Sequence, residues 1–462
     1  MRQLILMRHA KAKRGSKKMA DHDRPLSKRG RRQAAAMAEA MRHWKDLEGE
    51  IHVSGATRTH ETLDEMAKRL PELALSERAD FDEALYTFDA NALLAWLQGL
   101  PDATERVLVI GHNPALLELA RWLCPTAPDE LPTGSMLHLS LPDTPWQSLE
   151  RHCAERMVSL TPEQASHALF ERRAPESPKL DKLGPKRRIL EMLAHQYRRV
   201  RALELGVVAG VDAEFLHQYR VTLRRSRAIG ESVLTTIKVP GLKKRLKRLK
   251  RRAQATSDLR DLDVFLESLT VTPPPLTSRS RQALERWLQA RREEAHASLC
   301  RQLVQPDYAE VMQDWWDFIN SRAFKQALAG LSSKRIASVL IERLERHDQA
   351  LAALTLESDD EALHDLRKAV KRVRYLAELD PKRHREFLSG LKHRQRLLGD
   401  FQDLCTRQAW IEAFAASARN APRRKRECDA WRAALEEQKQ ALREEIMALA
   451  PLSGTYREAL KR

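Results

Sequence analysis

The chain has 462 residues and a mass of 53.0 kDa, more than one hydrophobic core usually organises, and two or three domains are expected. With 81 Lys and Arg, 64 Asp and Glu, a formal charge of +17 and 42% hydrophobic residues, the composition excludes a disordered protein. Apolar runs such as Val107–Ile110 are too short to span a membrane, and the apolar stretch within Met1–Arg14 is too short for a signal peptide, so we expect a cytoplasmic protein. Five scattered cysteines without a Cys-x-x-Cys motif predict reduced, structural thiols.

The excess positive charge is confined to the second part of the chain. Residues 1–160 hold 22 Lys and Arg against 23 Asp and Glu, which leaves 59 of the 81 bases and 41 of the 64 acids to residues 161–462. Residues 161–184 contain several prolines without sustained periodicity and predict a linker. We therefore expect one domain at 1–160 and a second at 185–455, the latter built from two repeats at about 185–320 and 321–455.

The first part alternates short β-rich runs with longer helical patterns, which is typical of an α/β domain with a mostly parallel sheet. The predicted strands are Leu4–Met7, Ile51–Ser54, Val107–Ile110 and Met136–Leu141. The predicted helices are Lys28–Trp44, Arg58–Leu70, Ala90–Leu100 and Pro114–Leu123. The second part has Leu, Ala, Arg and Glu at helical spacing almost throughout, and it predicts an all-α domain.

Basic and imidazole side chains follow three of the predicted strands. Arg8 and His9 follow the first strand, Arg58 comes shortly after the second, and His112 follows the third. Because ligands of open α/β sheets gather at the carboxyl ends of strands, we expect these side chains to share one rim. Guanidinium groups pair with phosphoryl oxygens, and a neutral imidazole is a nucleophile at neutral pH, so this rim predicts a phosphate-transfer site. Arg-His pairs occur at four other places, and only the arrangement at successive strand ends distinguishes this one.

Four blocks of the first part resemble a known family in order and spacing. They are Leu4–Lys11, Asp23–Gly30, Val53–Thr62 and Val107–Pro114. Together they are similar to the histidine phosphatase superfamily, and specifically to its small SixA-like phosphohistidine phosphatase branch, over about residues 1–160. The resemblance implies that His9 is the nucleophile and becomes transiently phosphorylated, without a metal or other cofactor. It further implies a phosphate pocket formed by Arg8, Arg58 and His112.

Three further positions of this resemblance concern the substrate and the backbone. Arg24, in the Arg-Pro-Leu block, is implied to contact substrate. Glu83 is a candidate general acid, with a solvated loop carboxylate as the alternative. Ala10 stands where the superfamily usually has Gly, which matters only if the backbone there needs a positive φ.

The second part contains an internal repeat. Leu216–Ala228 aligns with Leu363–Tyr375 without a gap, and Ser257–Asp263 aligns with Gly399–Cys405. At ~100° per residue, each copy places one His and three bases in a band about 80° wide beside an apolar stripe. Such a face usually interleaves acids with bases, and these faces do not, so an anionic partner is expected. We call these eight residues the basic row: His217, Arg220, Arg224, Arg227, His364, Arg367, Lys371 and Arg374. Lys243–Arg252 predicts a third basic helix.

The same motifs resemble the CHAD domain over roughly residues 185–450. The resemblance implies two four-helix subdomains related by pseudo-twofold symmetry, whose basic helices bind inorganic polyphosphate, and it makes the basic row the binding candidates. Internal ion pairs that orient these helices are expected at Arg260, Asp261, Asp263 and Asp403. The second copy has Gln402 and Cys405 in place of Arg260 and Asp263, so the two copies need not contribute equally.

Three functions stay open on the sequence alone. The first is a phosphatase acting through a phosphohistidine intermediate on a phosphorylated protein or small molecule, with a polyphosphate-binding module that anchors it, at polyphosphate granules, or presents substrate. The second is a non-catalytic polyphosphate-binding protein. The third is a nucleic-acid-binding protein, which the charge permits but the scarcity of aromatic residues among the cations disfavours. A metal site at His217 or His364 is disfavoured, because neither has a second ligand four residues on and their neighbours are cationic.

Overall fold

The computed structural model describes residues 1–15, 19–417 and 421–461. The chain divides into two compact units, the first made of Met1–Ala174 with Leu205–Phe215 and the second of Pro175–Glu204 with Leu216–Arg462. Residues 161–174, within the segment predicted as a linker, are part of the first unit. The reason is apolar packing, since the ring of Phe170 lies 5.4 Å from that of Phe215. No helix in the described part of the chain has the length and apolar character to cross a membrane.

The first unit is a six-stranded sheet with helices on both faces. Its strands are β1 (Arg2–Arg8), β2 (Glu50–Ser54), β3 (Ala79–Asp82), β4 (Arg106–Gly111), β5 (Met136–Leu141) and β6 (Arg156–Leu160). Its helices are α1 (Lys28–His43), α2 (Thr57–Arg69), α3 (Leu75–Arg78), α4 (Ala90–Gln98), α5 (Ala115–Leu123), α6 (Pro162–Ala165) and α7 (His167–Phe170). The strand order is β3-β2-β4-β1-β5-β6, in which the first four strands are parallel. β5 runs antiparallel to β1, and β6 antiparallel to β5.

Both faces of the sheet are buried, as the first strand illustrates. Ile5 and Met7 pack into a core that includes residues of α1 and α2, whereas Leu4 and Leu6 pack into a second core with residues of α4 and α5. A central strand covered on both faces is apolar at every position, which explains why β1 and β4 read as unbroken hydrophobic runs. The edge strands β3 and β6 are more exposed and more polar, and no strand was predicted at either position.

The second unit is helical. Its helices are α8 (Pro185–Ala209), α9 (Ala213–Thr236), α10 (Leu242–Gln254), α11 (Ser257–Val271), α12 (Ser278–Leu303), α13 (Pro306–Asn320), α14 (Arg322–Ala327), α15 (Ser333–Ala352), α16 (Asp360–Ala377), α17 (Arg385–Ala416), α18 (Pro422–Met447) and α19 (Leu452–Lys461). The end of α8 and the start of α9 belong to the first unit. This content agrees with the all-α domain predicted from the sequence.

The repeat is visible in the helix order. α8 and α9 correspond to α15 and α16, α12 corresponds to α18, and α13 corresponds to α19. The pair α10 and α11 corresponds to the single long helix α17, so the first copy interrupts a helix that the second copy leaves continuous. Helices beyond the four predicted per copy are α13 and α19, which correspond to one another, and the short α14, which lies between the two copies. In the second copy α19 packs back onto its own bundle, since the Tyr456 ring lies 5.1 Å from that of Phe387.

The two copies share one apolar core. It combines buried side chains of α11 and α12 from the first copy with side chains of α17 and α18 from the second. Phe265 and Trp431, one from each copy, lie with their ring centres 6.0 Å apart. The halves of the second unit are therefore joined by hydrophobic packing and not only by the connecting chain.

Candidate active site and anion-binding surface

The predicted rim forms at the carboxyl ends of the parallel strands. The parallel register places Arg8 opposite Gly111, and the His9 amide donates a hydrogen bond to the Gly111 carbonyl at 3.1 Å. The start of α2, which follows β2, supplies Arg58. The ring centres of His9 and His112 lie 5.3 Å apart. The structure thus brings together the four residues that the strand-end argument singled out.

One hydrogen bond fixes the proton of His9. The Nδ1 atom lies 2.8 Å from the Ala10 carbonyl oxygen, which can only accept, so Nδ1 is the protonated nitrogen. The lone pair of Nε2 accepts from the Arg58 Nε–H at 3.2 Å. Burial, aided by nearby Arg58 and Arg8, lowers the pKa of His9 to about 4. His9 therefore presents a neutral imidazole nitrogen to the pocket across the neutral pH range.

Arg58 links the two histidines. Its side chain is only 3% exposed, and its Nη2 atom donates to His112 Nδ1 at 3.2 Å. His112 Nδ1 is therefore unprotonated, and its Nε2–H donates to Ser54 Oγ at 2.7 Å. Burial, together with the neighbouring His9 and Arg58, lowers the pKa of His112 to about 3. Both histidines are held neutral beside a fixed cation.

Arg8 is anchored at one end of its guanidinium. Its Nη1 atom donates to the Leu131 carbonyl at 2.7 Å, while its Nε atom is buried and makes no hydrogen bond within the described residues. Burial lowers the pKa of Arg8, although an arginine keeps its proton in proteins. A buried N–H without an acceptor is one that an anion entering this rim would satisfy.

A carboxylate that the sequence did not single out connects the remaining cations. Asp21 Oδ1 accepts from Arg24 Nη1 at 2.7 Å, and Asp21 Oδ2 accepts from Arg58 Nη2 at 3.0 Å. The hydroxyl of Tyr86 also donates to Oδ2, at 3.2 Å, and the Tyr86 ring contacts that of His112 edge-on. Asp21 lies three residues before Arg24 but two residues before the Asp23–Gly30 block begins, so the motif did not include it. Tyr86 also lies outside all four blocks.

Glu83 lies beside this cluster and is largely exposed. Its side chain is 75% accessible, and its Oε2 atom lies 3.4 Å from His22 Nε2. A Cβ atom at Gly55 would lie 1.8 Å from Glu83 Oε1, so the glycine of the Ser-Gly-Ala block leaves room for this carboxylate. No direct hydrogen bond joins Glu83 to Arg8, His9 or Arg58 within the described residues. Its role as a general acid stays a prediction.

Half of the basic row converges between the two copies. Lys371 of α16 feels the charges of Arg224 and Arg220 of α9 as well as that of Arg367. Burial and these three cations lower the pKa of Lys371 to about 7. Arg220 is also held by its own copy, because its Nη1 atom donates to Ser257 Oγ at 2.8 Å. We call these four residues, Arg220, Arg224, Arg367 and Lys371, the interrepeat cations.

Three other members of the basic row have partners outside the interrepeat cations. Arg227 Nε lies 3.1 Å from Glu231 Oε1, and Arg374 Nε donates to Glu378 Oε1 at 2.8 Å. These acids lie one turn further along each helix, just beyond the acid-free stretch of the motif. His364 Nδ1 is hydrogen-bonded to Gln402, and His217 is partly buried on α9.

The predicted ion-pair residue Asp263 and the third basic helix both have oppositely charged partners within the second unit. Asp263 accepts from Arg292 Nε at 2.7 Å, which makes it an internal ion pair that joins α11 to α12. The third basic helix is α10, and its Arg245 and Arg248 form ion pairs with Asp314 of α13 at 2.7 and 3.2 Å. Part of its charge is therefore neutralised within the second unit.

Comparison with known families covers both units. The family model of the histidine phosphatase superfamily (branch 1) matches residues 4–89, and that of the CHAD domain matches residues 191–412. The chain contains a histidine phosphatase domain followed by a CHAD domain. The basic row and the interrepeat cations lie within the CHAD match, whereas His9 and Arg58 lie within the phosphatase match.

Relatives with curated sequences resemble only part of the chain. An uncharacterized chloroplastic protein of Arabidopsis thaliana is 33% identical over 130 residues, which are 26% of this chain and 59% of that protein. An uncharacterized protein of Mycobacterium leprae (strain TN) is 27% identical over 168 residues, which are 34% of this chain and 99% of that protein. The chain thus spans somewhat over half the length of the Arabidopsis relative.

Solved structures resemble each part separately. The protein histidine phosphatase SixA complexed with tungstate is 26% identical and matches 35% of this chain and 97% of its own, with a TM-score of 0.30. The CHAD domain from the plant Ricinus communis is 20% identical and matches 60% of this chain and 96% of its own, with a TM-score of 0.48.

Two departures from the family patterns have local explanations. Non-glycine residues with positive φ in the described chain are Lys45, Ala74 and His152, so Ala10 of the phosphatase domain needs no glycine-like backbone. In the CHAD domain, Cys405 takes the place of an aspartate of the first copy, and its Sγ atom lies 3.5 Å from Asp360 Oδ2. That carboxylate also forms an ion pair with Lys439 at 2.7 Å. The second copy therefore has an ion pair of Asp360 near the position where the first copy has the ion pair of Asp263 with Arg292.

Proposed function

We propose that the histidine phosphatase domain hydrolyses phosphorylated substrates through a phosphohistidine formed on His9. The observation that supports this most strongly is the state of His9. Its Nδ1 proton is committed to the Ala10 carbonyl, which leaves the Nε2 lone pair directed into a pocket lined by Arg58 and His112. A neutral imidazole held against guanidinium groups is suited to attack a phosphoryl group and to share the charge that develops.

The proposed reaction has two displacements at phosphorus. In the first, the hydrogen bond from Arg58 Nε–H to His9 Nε2 breaks and Nε2 forms a bond to phosphorus. The bond to the leaving group breaks at the same time, and the leaving group takes up a proton from an acid or from water. Glu83, which lies at the edge of the pocket, is the candidate acid. In the second, water attacks the phosphorylated histidine, inorganic phosphate departs and His9 recovers its lone pair. Arg8 and Arg58 neutralise the transferring oxygens in both steps.

The test is phosphate release by the full-length protein from a phosphohistidine peptide, a small phosphomonoester and inorganic polyphosphate. His9→Ala should lower release at least about a thousandfold, as loss of a nucleophile does in covalent catalysis. His43→Ala is the matched control, because His43 also follows an arginine but is exposed at the end of α1 and should not affect the rate. Equal release by His9→Ala and the parent would refute the assignment. No release by the parent would favour a binding protein without catalysis.

For the CHAD domain we propose binding of inorganic polyphosphate by the interrepeat cations. Two helices from different copies present four bases, and burial together with the charges of the other three lowers the pKa of Lys371 to about 7. Such a cluster costs free energy in the unbound protein, and a chain of phosphoryl anions removes that cost. Association with phosphate polymers would anchor the phosphatase domain or supply it with substrate.

Binding of polyphosphate by variants of the full chain tests this second proposal. Arg224→Gln and Lys371→Gln should each weaken binding about tenfold, since each removes a charge-assisted contact. Arg286→Gln is the control, because Arg286 is an exposed arginine of α12 outside the basic row and its loss should leave the affinity unchanged. If single-stranded DNA displaces polyphosphate at equal phosphate concentration, the domain binds polyanions in general, and the proposed selectivity fails.

A further inference from the structure

We propose that Asp21 is an internal competitor of inorganic phosphate: its carboxylate occupies the phosphoryl position on Arg58 when the pocket is empty and must leave when an oxyanion binds. The proposal rests on the proposed function in one respect, that the pocket binds phosphoryl oxygens. Its test measures binding and needs no turnover.

The hydrogen bonds of Arg58 show why an oxyanion meets this carboxylate. The Nε–H of Arg58 is directed to His9, and an Nη1–H donates to the Asp21 carbonyl at 2.5 Å. The two Nη2–H groups have His112 Nδ1 and Asp21 Oδ2 as acceptors. On Nη2, the N–H given to Asp21 Oδ2 is the one that an incoming anion can take without displacing His112. The second Nη1–H, the fifth of the guanidinium, can donate to the same anion.

The carboxylate resembles an anion bound at this site. Its two oxygens accept from two different guanidinium groups, those of Arg24 and Arg58, and Tyr86 adds a third donor. The hydrogen bond from Arg24 lowers the pKa of Asp21 below its ordinary value, so it stays ionised and is a poor proton donor. A negative charge on two arginines and a tyrosine hydroxyl is the arrangement expected for the oxygens of a phosphoryl group.

The carboxylate is also placed to move. The Asp21 side chain is 50% exposed, whereas that of Arg58 is 3% exposed. Rotation of the Asp21 side chain breaks the contact of Oδ2 with Arg58, while the Asp21 carbonyl continues to hold Nη1. The buried arginine can therefore exchange one anion for another without leaving its position.

This exchange has a consequence for the reaction cycle. Inorganic phosphate is the product of the proposed reaction, and tight binding would slow its departure. A carboxylate that returns to Arg58 lowers the affinity for the product and limits inhibition by it. A residue that only positioned Arg58 would act in the opposite direction, because its removal would loosen the arginine and weaken anion binding.

Calorimetric titration of the full-length protein with inorganic phosphate distinguishes these roles. Asp21→Asn should bind phosphate about tenfold more tightly than the parent, since one charge-assisted hydrogen bond no longer competes. Asp23→Asn is the matched control, with the same loss of charge two residues away on a 67% exposed side chain, and should bind as the parent does. Arg58→Gln reports binding of phosphate to the other cationic surfaces, which all variants share.

In Asp21→Asn the amide oxygen can still accept a hydrogen bond from Arg58. Asp21→Ala removes this contact as well, and it should also bind phosphate more tightly. Thermal unfolding of each variant confirms that it is folded. Unchanged or weaker binding by both Asp21 variants would overturn the proposal. If tighter binding is found in a protein that releases no phosphate from any substrate, the proposal stands and the proposed phosphatase function fails.

Discussion

The tautomer and orientation of the His9 ring are determined by two neighbours, one at each ring nitrogen. The Ala10 carbonyl holds the Nδ1 proton, and Arg58 approaches the Nε2 lone pair. The Nδ1 contact forms without substrate and is kept when Nε2 attacks, so the proposed nucleophile is oriented before anything binds. Such preorganisation removes a reorientation step from the cost of the reaction.

The low pKa of His9 predicts the acid limb of the pH profile. A base whose pKa is lowered to about 4 stays unprotonated as the pH falls through 6.5 and gains its proton only near pH 4. Because kcat/KM reports the free enzyme, we expect its nucleophile-linked decrease near pH 4, after correction for ionisation of the substrate phosphate. The measurement is kcat/KM from pH 3.5 to 8. A decrease centred at 6.5 would show that His9 has an ordinary environment.

At the scale of single residues, the sequence was informative where backbone topology determines position. Parallel strands that end at one edge must bring the residues after them together, and Arg8, His9 and His112 follow from that rule alone. Asp21 did not follow, because its contact with Arg58 depends on the path of the loop between β1 and α1. Charge pairing over such a loop has no periodic pattern in the sequence.

Among the elements, the pair α9 and α16 shows how a repeated motif becomes a surface. Each helix alone displays a row of cations, but only the packing of the two copies determines which cations meet. Arg227 and Arg374, which the motif treats as equal to the rest, pair with glutamates one turn away. Helical periodicity grouped these cations on one face of each helix, and the tertiary arrangement brings half of them together.

Lys371 predicts uptake of a proton when polyphosphate binds. Its pKa of about 7 leaves it mostly neutral at pH 8, and compensation of the neighbouring cations by the polymer raises that pKa again. Binding at pH 8 should therefore take up close to one proton, whereas binding at pH 6, where Lys371 is already charged, should take up almost none. Calorimetry in two buffers of different ionisation enthalpy measures the number of protons taken up per binding event.

Lys371→Arg is the control for this effect, because an arginine keeps its charge at both pH values. The variant should bind polyphosphate without the uptake at pH 8. Equal proton uptake by the variant and the parent would assign the titration to another group.

Two helix glycines make a matched test of packing. A Cβ at Gly399 in α17 would meet no atom within 4 Å, so Gly399→Ala should stabilise the protein by about 0.5–1 kcal/mol through helix propensity. A Cβ at Gly206 in α8 would lie 2.2 Å from the Phe215 ring, so Gly206→Ala should destabilise by about 1–3 kcal/mol. Urea unfolding midpoints of both variants test the pair. If both midpoints shift in the same direction, either helix propensity or packing alone determines the stability of both variants.

The two edge strands, β3 and β6, were not predicted from the sequence. β3 and β6 each have one neighbour in the sheet and are partly exposed, so they lack the apolar runs that identify β1 and β4. The interruption between α10 and α11 was likewise unmarked by Pro or Gly, and the continuous α17 at the equivalent position includes Gly399. Packing, and not local propensity, determines these features.

For the whole molecule, the division of charge separates two kinds of anion binding. The phosphatase domain is nearly neutral and has a small, partly buried pocket, whereas the later residues hold 59 of the 81 bases. Charges in a buried site are poorly screened by salt, whereas a phosphate polymer carries condensed counterions that are released when cations bind it. The two proposed activities should therefore respond differently to ionic strength.

We expect the affinity for polyphosphate to fall steeply as salt rises from about 50 to 300 mM, with a slope set by the number of contacts made. Arg224→Gln should reduce that slope by about one. Hydrolysis of a small phosphomonoester by the same preparation should change much less. A parallel decrease of both would indicate that the two domains act on one ligand through the same cations.

The apolar core shared by the two copies of the CHAD domain bears on its origin. Side chains of α11 and α12 are covered by those of α17 and α18, so one copy alone would expose a hydrophobic face. Two identical copies would cover that face by pairing about a twofold axis, as symmetric homodimers do. The present chain contains in one polypeptide what a dimeric ancestor would have assembled from two. Within one polypeptide the two copies need not be identical, and they differ in the broken helix of the first copy and in Cys405 of the second.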